Sequence, residues 1–73
     1  MDLPLIVLSS VTYALKGRDI LRQHGIKAYV ERVPKNIDAD GCGYCIYVNG
    51  DLSEATRILT DAGIKIRSIH GKG

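Results

Sequence analysis

Four segments rich in β-forming residues and two segments with helical spacing follow one another along the 73-residue chain, and they predict an α+β fold. Their order is strand, helix, strand, strand, helix, strand. Each helical segment ends at a glycine that is followed by isoleucine and lysine, Gly25-Ile26-Lys27 in the first case and Gly63-Ile64-Lys65 in the second. This internal repeat indicates two similar βαβ halves.

The first half begins with a strand and a helix. Residues 5–8 form a continuous apolar run, which is typical of a strand with a neighbour on each side. Ser9 and Ser10 follow, and the hydroxyl of either residue can cap a helix over residues 11–24. Gly25 then supplies the left-handed residue that commonly closes a helix.

Two strands and the loop between them come next. Residues 26–33 are rich in β-forming side chains, and Pro34 ends this second strand. Residues 35–41 are polar and rich in aspartate, which predicts a loop. Residues 44–48 are predicted to form the third strand.

The second helix and the last strand complete the repeat. Asp51, with Glu54 three residues later, forms a start that resembles a capping box, and Gly63 ends the helix. Residues 64–69 are predicted to form the fourth strand. Two interleaved βαβ halves give the ferredoxin-like arrangement, a four-stranded antiparallel sheet of order 4-1-3-2 with both helices on one face.

Length, charge and cysteine count exclude several classes of protein. The chain has room for one domain, residues 1–70, followed by a mobile tail, residues 71–73. Its net charge of +2 is too balanced for a dedicated nucleic-acid binder. Two cysteines are too few for the disulfide scaffold of a secreted mini-protein, and no apolar run is long enough for a signal peptide or a membrane span. We therefore expect a cytoplasmic protein with reduced thiols.

The two cysteines form one Cys-x-x-Cys pair, Cys42 and Cys45, at the start of the third strand. In the predicted sheet this start lies beside the end of the first strand, where Ser9 and Ser10 lead into the first helix. A helix N-terminus and a nearby cation both lower the pKa of a thiol, and Lys35 on the adjoining loop supplies a cation. Two acidic residues of the same loop act in the opposite direction, Asp38 and Asp40.

Alternation along the third strand separates the two thiols. Ile46 is expected to face the helices, so Cys45 and Tyr47 point to the opposite, open face of the sheet. A regular strand would place the Cys42 and Cys45 sulfurs on different faces, where they cannot form a disulfide unless Gly43 introduces a bulge. We predict that Cys42 is the reactive thiol and that Cys45 is a helper or a small strand residue.

The open face has the composition of a contact surface. Tyrosines and charged side chains share it, which suggests a protein contact or a homodimer through this face, and a simply solvated face fits equally well. The residues expected there, besides Cys45, are Lys27, Tyr29, Glu31, Tyr47, Lys65 and Arg67.

Other chemistries have weaker support in the sequence. Thioredoxin-type proteins place a helix after the cysteine pair, whereas a strand follows Cys45 here. A closed zinc site needs four ligands, so metal binding would require His24, His70 or a second subunit in addition to the pair. Strand cysteines without any chemistry are the plain alternative. No phosphate-binding loop or nucleophile–histidine–acid set is present, and we expect no cofactor.

One set of residues resembles a known family. Pro34-Lys35, Ile37 and then Cys42-Gly43 at the head of an apolar strand are similar to the core motif of the selenium/sulfur carrier-like proteins. The resemblance extends from residue 6 to residue 70. Further matches lie in and after both helices: Ala14-Leu15, Leu21 before Gly25-Ile26, and Gly63-Ile64.

The resemblance implies roles for particular residues. Cys42 matches the presumed carrier cysteine of the family, and Gly43 matches the glycine that follows it. Members often have an arginine where this chain has Lys35, so the positive charge is kept and the planar guanidinium is lost. Cys45 is not general to the family pattern.

The function that the resemblance implies is a carrier without enzyme activity. Such a carrier holds a persulfide or selenopersulfide on Cys42 and passes it from a donor protein to an acceptor protein by exchange at sulfur. Cys45 could then act as a resolving thiol. Two alternatives remain: an interaction or regulatory module that binds a partner or small ligand on the open sheet face, and a thiolate metal-binding dimer.

Overall fold

The structure is a computed structural model, and it describes residues 3–34 and 43–71. Six elements follow one another in the predicted order βαββαβ. Their bounds are β1 Leu5–Leu8, α1 Val11–Gln23, β2 Lys27–Arg32, β3 Tyr44–Asn49, α2 Leu52–Asp61 and β4 Ser68–His70.

The four strands form one antiparallel sheet in the order β2-β3-β1-β4. This is the predicted order 4-1-3-2 read from the opposite edge, so the predicted neighbours of every strand are confirmed. β1 and β3 occupy the centre, and Leu5 to Leu8 pair with Tyr47 to Tyr44. The chain is therefore an α+β protein with four antiparallel strands and two helices.

The repeated Gly-Ile-Lys sequence closes both helices with the same hydrogen bonds. Ile26 N–H donates to Leu21 O at 2.9 Å, and Ile64 N–H donates to Leu59 O at 3.0 Å. Each glycine adds a second bond to the last turn and has a positive φ, 79° at Gly25 and 82° at Gly63. These are two Schellman motifs, in which a left-handed glycine satisfies carbonyls that the helix leaves unpaired.

The two faces of the sheet differ in what packs on them. Both helices cover one face, called the covered face, and its core includes Ile6, Leu8, Ile46 and Val48. The opposite face, called the uncovered face, carries a smaller cluster of buried side chains. Its members are Leu5, Val7, Val33 and Cys45, with Tyr47 packed against them. The predicted alternation along β3 is confirmed.

The last strand is shorter than predicted. Residues 64–69 were expected to form it, whereas β4 begins only at Ser68. In the register of β4 on β1, residues 64–66 would lie opposite residues 9–11, beyond the end of β1 at Leu8. Ile64 instead packs into the core of the covered face.

Candidate functional site

The candidate site lies where β1 ends and β3 begins. Leu8, the last residue of β1, pairs with Tyr44, the first residue of β3. Gly43 precedes Tyr44 in the chain, and Ser9 and Ser10 follow Leu8 into the first helix. The predicted meeting of these two strand ends is confirmed. We call this region, formed by Leu8, Ser9, Ser10, Gly43 and Tyr44, the Gly43 end of the sheet.

Ser10 is the residue that caps α1. Its backbone is extended, with φ −142° and ψ 148°, and its side-chain oxygen accepts a hydrogen bond of 3.2 Å from Tyr13 N–H. Ser9 is exposed beside it. Sequence left the choice between the two serines open, and the geometry selects Ser10 because only a residue at that position aligns its oxygen with the first turn.

The partial positive charge at the N-terminus of α1 is not compensated by an acidic side chain in the first turn. The first turn of α1 has no acidic side chain, whereas α2 is capped by Asp51 and has Glu54 in its first turn. A helix N-terminus carries about half a positive charge. Of the two helix N-termini, that of α1 is therefore the one that favours an external anion.

Gly43 is buried and tightly enclosed. Its carbonyl oxygen accepts a hydrogen bond of 3.3 Å from Val33 N–H. A Cβ atom built on Gly43 would lie 3.2 Å from Leu8 O and 3.4 Å from Arg67 Nη1. Its φ is not positive, since only Gly25 and Gly63 have positive φ among the described residues. Glycine is thus favoured here by the limited space and not by an unusual backbone angle.

The sequence analysis did not assign Arg67 to the Gly43 end of the sheet. Alternation predicted it only as one of several cations on the open face, yet its Nη1 lies 3.4 Å from the position that a Cβ atom on Gly43 would occupy. The shift follows from the late start of β4, because Arg67 precedes the strand and its backbone N–H donates to Val7 O at 2.8 Å. No local pattern in the sequence indicated this placement.

Two of the predicted site residues, the carrier thiol Cys42 and the cation Lys35, lie outside the described residues. Of the residues predicted around them, the structure brings together Ser9, Ser10 and Gly43. Cys42 is bonded covalently to Gly43, so the described geometry concerns its immediate neighbour in the chain.

Cys45 is a reduced, fully buried thiol of the uncovered face. It pairs with Val7 on one side and Glu31 on the other, and its Sγ lies 3.9 Å from Arg32 O. Burial raises the pKa of Cys45, and the Glu31 carboxylate raises it further. A hydrogen bond with the Tyr47 side chain lowers this pKa without reversing its direction. Cys45 is thus a neutral thiol near neutral pH.

This environment bears on the helper role predicted for Cys45. A resolving thiol attacks as a thiolate and has to reach its target. Cys45 has neither the exposure nor the lowered pKa for that role in the described conformation. Its role as a resolving thiol stays a prediction, and it requires the packing with Val33 and Tyr47 to open first.

The described part of the chain contains two further features relevant to binding. An open groove on the uncovered face is lined by Tyr29, Glu31, Tyr47 and neighbouring side chains. Within residues 3–34 and 43–71 there is no group of three or more histidine, cysteine or acidic side chains that could hold a metal ion. No helix in those ranges combines the length and the apolar character needed to cross a membrane.

Comparison with known proteins assigns the chain to a family. The family model described as "Putative Se/S carrier protein-like" matches residues 4–71. The chain therefore belongs to this family, as its motif predicted. No curated protein and no solved structure matches the chain significantly.

Proposed function

We propose that this member of the Se/S carrier-like family holds sulfur or selenium on Cys42 and passes it to a partner protein. The chalcogen is carried as a persulfide or selenopersulfide. Membership of the family over residues 4–71 supports a carrier function. The chemistry assigned to Cys42 goes beyond the family description and rests on the surroundings of its neighbour Gly43.

The observation that carries the proposal is the tight enclosure of Gly43. The Val33 hydrogen bond holds this residue, and Leu8 O, at the end of β1 where α1 begins, leaves little space for a side chain on it. Cys42 is bonded to that fixed residue. A thiolate or persulfide anion on Cys42 is then stabilised by the unpaired N–H groups at the start of α1.

The transfer step exchanges one sulfur–sulfur bond for another. The Cys42 thiolate attacks the terminal sulfur of a donor persulfide, R–S–SH, and forms Cys42–S–SH. The donor sulfur–sulfur bond breaks and the donor leaves as R–S⁻, so the terminal sulfur keeps its proton and there is no net oxidation. Delivery repeats the step with an acceptor thiolate as nucleophile and Cys42 as leaving group. Selenium in place of the terminal sulfur gives the same balance.

The proposal needs partner proteins and no cofactor. A donor with a persulfide and an acceptor with a nucleophile must both reach Cys42, so the carrier requires an accessible thiol and no enclosed active-site cavity. The chain is proposed to act as a cytoplasmic carrier and not as an enzyme, because the partner supplies the second reacting group at each step. The low cysteine count and small net charge are consistent with this role.

Sulfur loading of matched cysteine variants tests the proposal. The reduced protein, Cys42→Ser and Cys45→Ser are each incubated with a persulfide-loaded cysteine desulfurase and analysed by intact mass spectrometry. We expect the mass of one sulfur atom on the wild type and on Cys45→Ser, and no addition on Cys42→Ser. Treatment with dithiothreitol should remove the addition and release sulfide.

Cys45→Ser controls for the general effect of replacing a cysteine of the Cys-x-x-Cys pair by serine. Loading of neither thiol, equal loading of both, or loading of Cys45 alone would contradict the carrier role of Cys42. Metal analysis of the same purified samples tests the metal-binding alternative, which requires a stoichiometric metal that is lost in both serine variants.

The groove on the uncovered face favours a second candidate function, binding of a partner or small ligand. Tyr29 is 43% exposed in this groove, and Tyr47 lies next to it. A homodimer through this face would bury both side chains. Sedimentation of the wild type and Tyr29→Ser at matched concentrations tests for this homodimer. A dimer through this face should dissociate in the variant. A wild type that sediments as a monomer excludes the homodimer.

A further inference from the structure

The strand β2 lies at one edge of the sheet, with β3 as its neighbour. It is six residues long, whereas β4, the strand at the other edge, has three. An edge strand presents a row of backbone N–H and C=O groups with which a further strand can pair. Of the two edges, β2 therefore offers the longer one to another strand.

The register with β3 shows which backbone groups of β2 point out of the sheet. Val33 N–H donates to Gly43 O at 3.3 Å, so the backbone groups of Val33 face β3. In an antiparallel pair this direction alternates from one residue to the next. The odd-numbered residues of β2 therefore face β3, and the even-numbered ones point outward, namely Ala28, Val30 and Arg32.

A contact of α1 with this edge agrees with that assignment. The guanidinium of Arg22 donates to Ala28 O at 3.1 Å. A backbone carbonyl oxygen has two lone pairs, so Ala28 O can also accept a hydrogen bond from a further strand. The edge is thus open to pairing although Arg22 contacts it.

The side chains of β2 on the uncovered face are self-complementary. Lys27, Tyr29 and Glu31 share this face and are all exposed. When two copies of β2 pair antiparallel with Tyr29 opposite Tyr29, Lys27 of each copy lies opposite Glu31 of the other. A lysine on an edge strand normally discourages pairing, but here each lysine meets a glutamate.

The backbone groups fit the same register. With Tyr29 opposite Tyr29, Ala28 of one copy lies opposite Val30 of the other, and both direct their N–H and C=O groups outward. They can therefore exchange two hydrogen bonds, as in any antiparallel ladder. Moving the register by two residues in either direction keeps the backbone bonds and loses both pairs of opposite charge.

We propose that two copies of the chain pair through β2, antiparallel about Tyr29, and form one continuous sheet. The same patch of both copies meets at a two-fold axis, as in most homodimers. An open groove along this edge would be covered by the second copy, and its lining includes Ile26, Ala28 and Tyr29. This edge dimer differs from packing of two uncovered faces, because its interface lies in the plane of the sheet.

Mixing two charge-reversed variants tests the proposal. Lys27→Glu places two glutamates opposite each other at both ends of the interface, and Glu31→Lys places two lysines there. In reducing buffer we expect the wild type to sediment as a dimer at millimolar concentration. Each variant alone should raise the dimer Kd about tenfold, and an equimolar mixture should regain the wild-type Kd because every glutamate then lies opposite a lysine.

Two comparisons separate this pairing from a general effect of charge. Lys65→Glu makes the same charge change at an exposed residue near the opposite edge, and its dimer Kd should equal that of the wild type. High salt should weaken the wild-type dimer and strengthen those of the two charge-reversed variants, since exposed charges are screened.

Amide hydrogen exchange followed by NMR identifies the edge itself. Val30 N–H should exchange slowly at millimolar concentration and fast on dilution, because only the second strand protects it. Tyr29 N–H faces β3 and should exchange slowly at both concentrations. Packing of two uncovered faces would leave the exchange of Val30 independent of concentration.

The outcomes are independent of sulfur loading, since no measurement uses a sulfur donor. A monomeric wild type would leave this edge to a strand of another protein and overturns the second copy as its occupant. A dimer without concentration-dependent protection of Val30, or a mixture of the two variants that stays monomeric, overturns the register. Failure of sulfur loading in a protein that dimerises as expected overturns the carrier function alone.

Discussion

The two faces of the sheet bury similar residues by different means. Leu8 and Leu5 lie at opposite ends of β1 and are 0% and 4% exposed. Leu8 packs on the covered face among side chains of both helices, whereas Leu5 packs on the uncovered face with side chains from the sheet and its extensions. Equal burial therefore does not imply equal packing, because a helix layer supplies more partner atoms than neighbouring strand side chains do.

The difference assigns separate tasks to the two faces. The covered face contains the large aliphatic core that stabilises the domain. In a domain of this size the core contributes only about 3–5 kcal/mol to the free energy of unfolding. The uncovered face contains a small cluster with one thiol, Cys45, and one half-buried phenol, Tyr47. Changes on the covered face should affect the fold, and changes on the uncovered face should affect thiol chemistry.

The largest expected effect comes from truncating the same residue type on each face. Leu8→Ala should lower the free energy of unfolding by about 4 kcal/mol, and Leu5→Ala by about 2 kcal/mol, because the cost of a cavity depends on how far its surroundings can relax. A loss of about 4 kcal/mol is close to the whole stability expected of this domain, so urea denaturation should show a transition at lower urea for Leu5→Ala and little or no native baseline for Leu8→Ala.

Leu15→Ala serves as the control, because this leucine of α1 is 40% exposed and its truncation should cost little. Equal losses of unfolding free energy in Leu5→Ala and Leu8→Ala would mean that the cluster on the uncovered face is as important for stability as the core of the covered face.

A smaller effect is expected from ionisation of Cys45. Burial holds the pKa of this thiol above its ordinary value of 9.0, so the unfolded chain loses the proton at lower pH than the folded chain does. The unfolded state then binds fewer protons above pH 9, and stability falls as pH rises. Stability curves of Cys42→Ser with and without Cys45→Ala should differ in slope above that pH, with the Cys45-containing chain falling faster.

Tyr47 is present in both chains of that comparison, so its own ionisation largely cancels in the difference. Burial also raises the pKa of Tyr47, which keeps this phenol protonated in the folded protein over the same range. Parallel curves for the two chains would contradict the desolvation of Cys45.

The smallest effect is expected from removing the Tyr47 hydroxyl. Its hydrogen bond lowers the pKa of Cys45, so Tyr47→Phe should raise that pKa further and change the free energy of unfolding by only about 1 kcal/mol. The Cβ carbon shift of Cys45, followed by NMR through a pH titration, reports the change. Tyr29→Phe, at an exposed tyrosine of the same face, should leave the titration unmoved, and an equal shift in both variants would refute the hydrogen bond as its cause.

Sequence predicted the features that depend on neighbouring residues. Gly25 and Gly63 marked both helix ends, because a left-handed residue at that position needs no tertiary partner to be favourable. Alternation along β3 placed Ile46 and Cys45 on opposite faces for the same local reason. The Cys-Gly motif and its surroundings were sufficient to identify the family.

Sequence did not predict how deeply Cys45 is buried or where β4 begins. The open face was expected to be solvated or to contact another protein, whereas Leu5, Val7 and Val33 enclose the thiol within the monomer. Val33 was assigned to the end of β2 without a packing role, since alternation gives the face of a residue and not the density of what surrounds it.

The sequence by itself determined the order of elements, the helix ends, the strand faces and the family, because each follows from signals within a few residues. Only the tertiary structure decided that the Arg67 guanidinium lies beside Gly43 and that a side chain at position 43 would be crowded. The physical reason is that the position of Arg67 follows from the antiparallel register of β4 on β1, which places Ser68 opposite Val7. A contact across the end of a third strand depends on that register, and no local pattern in the chain encodes it.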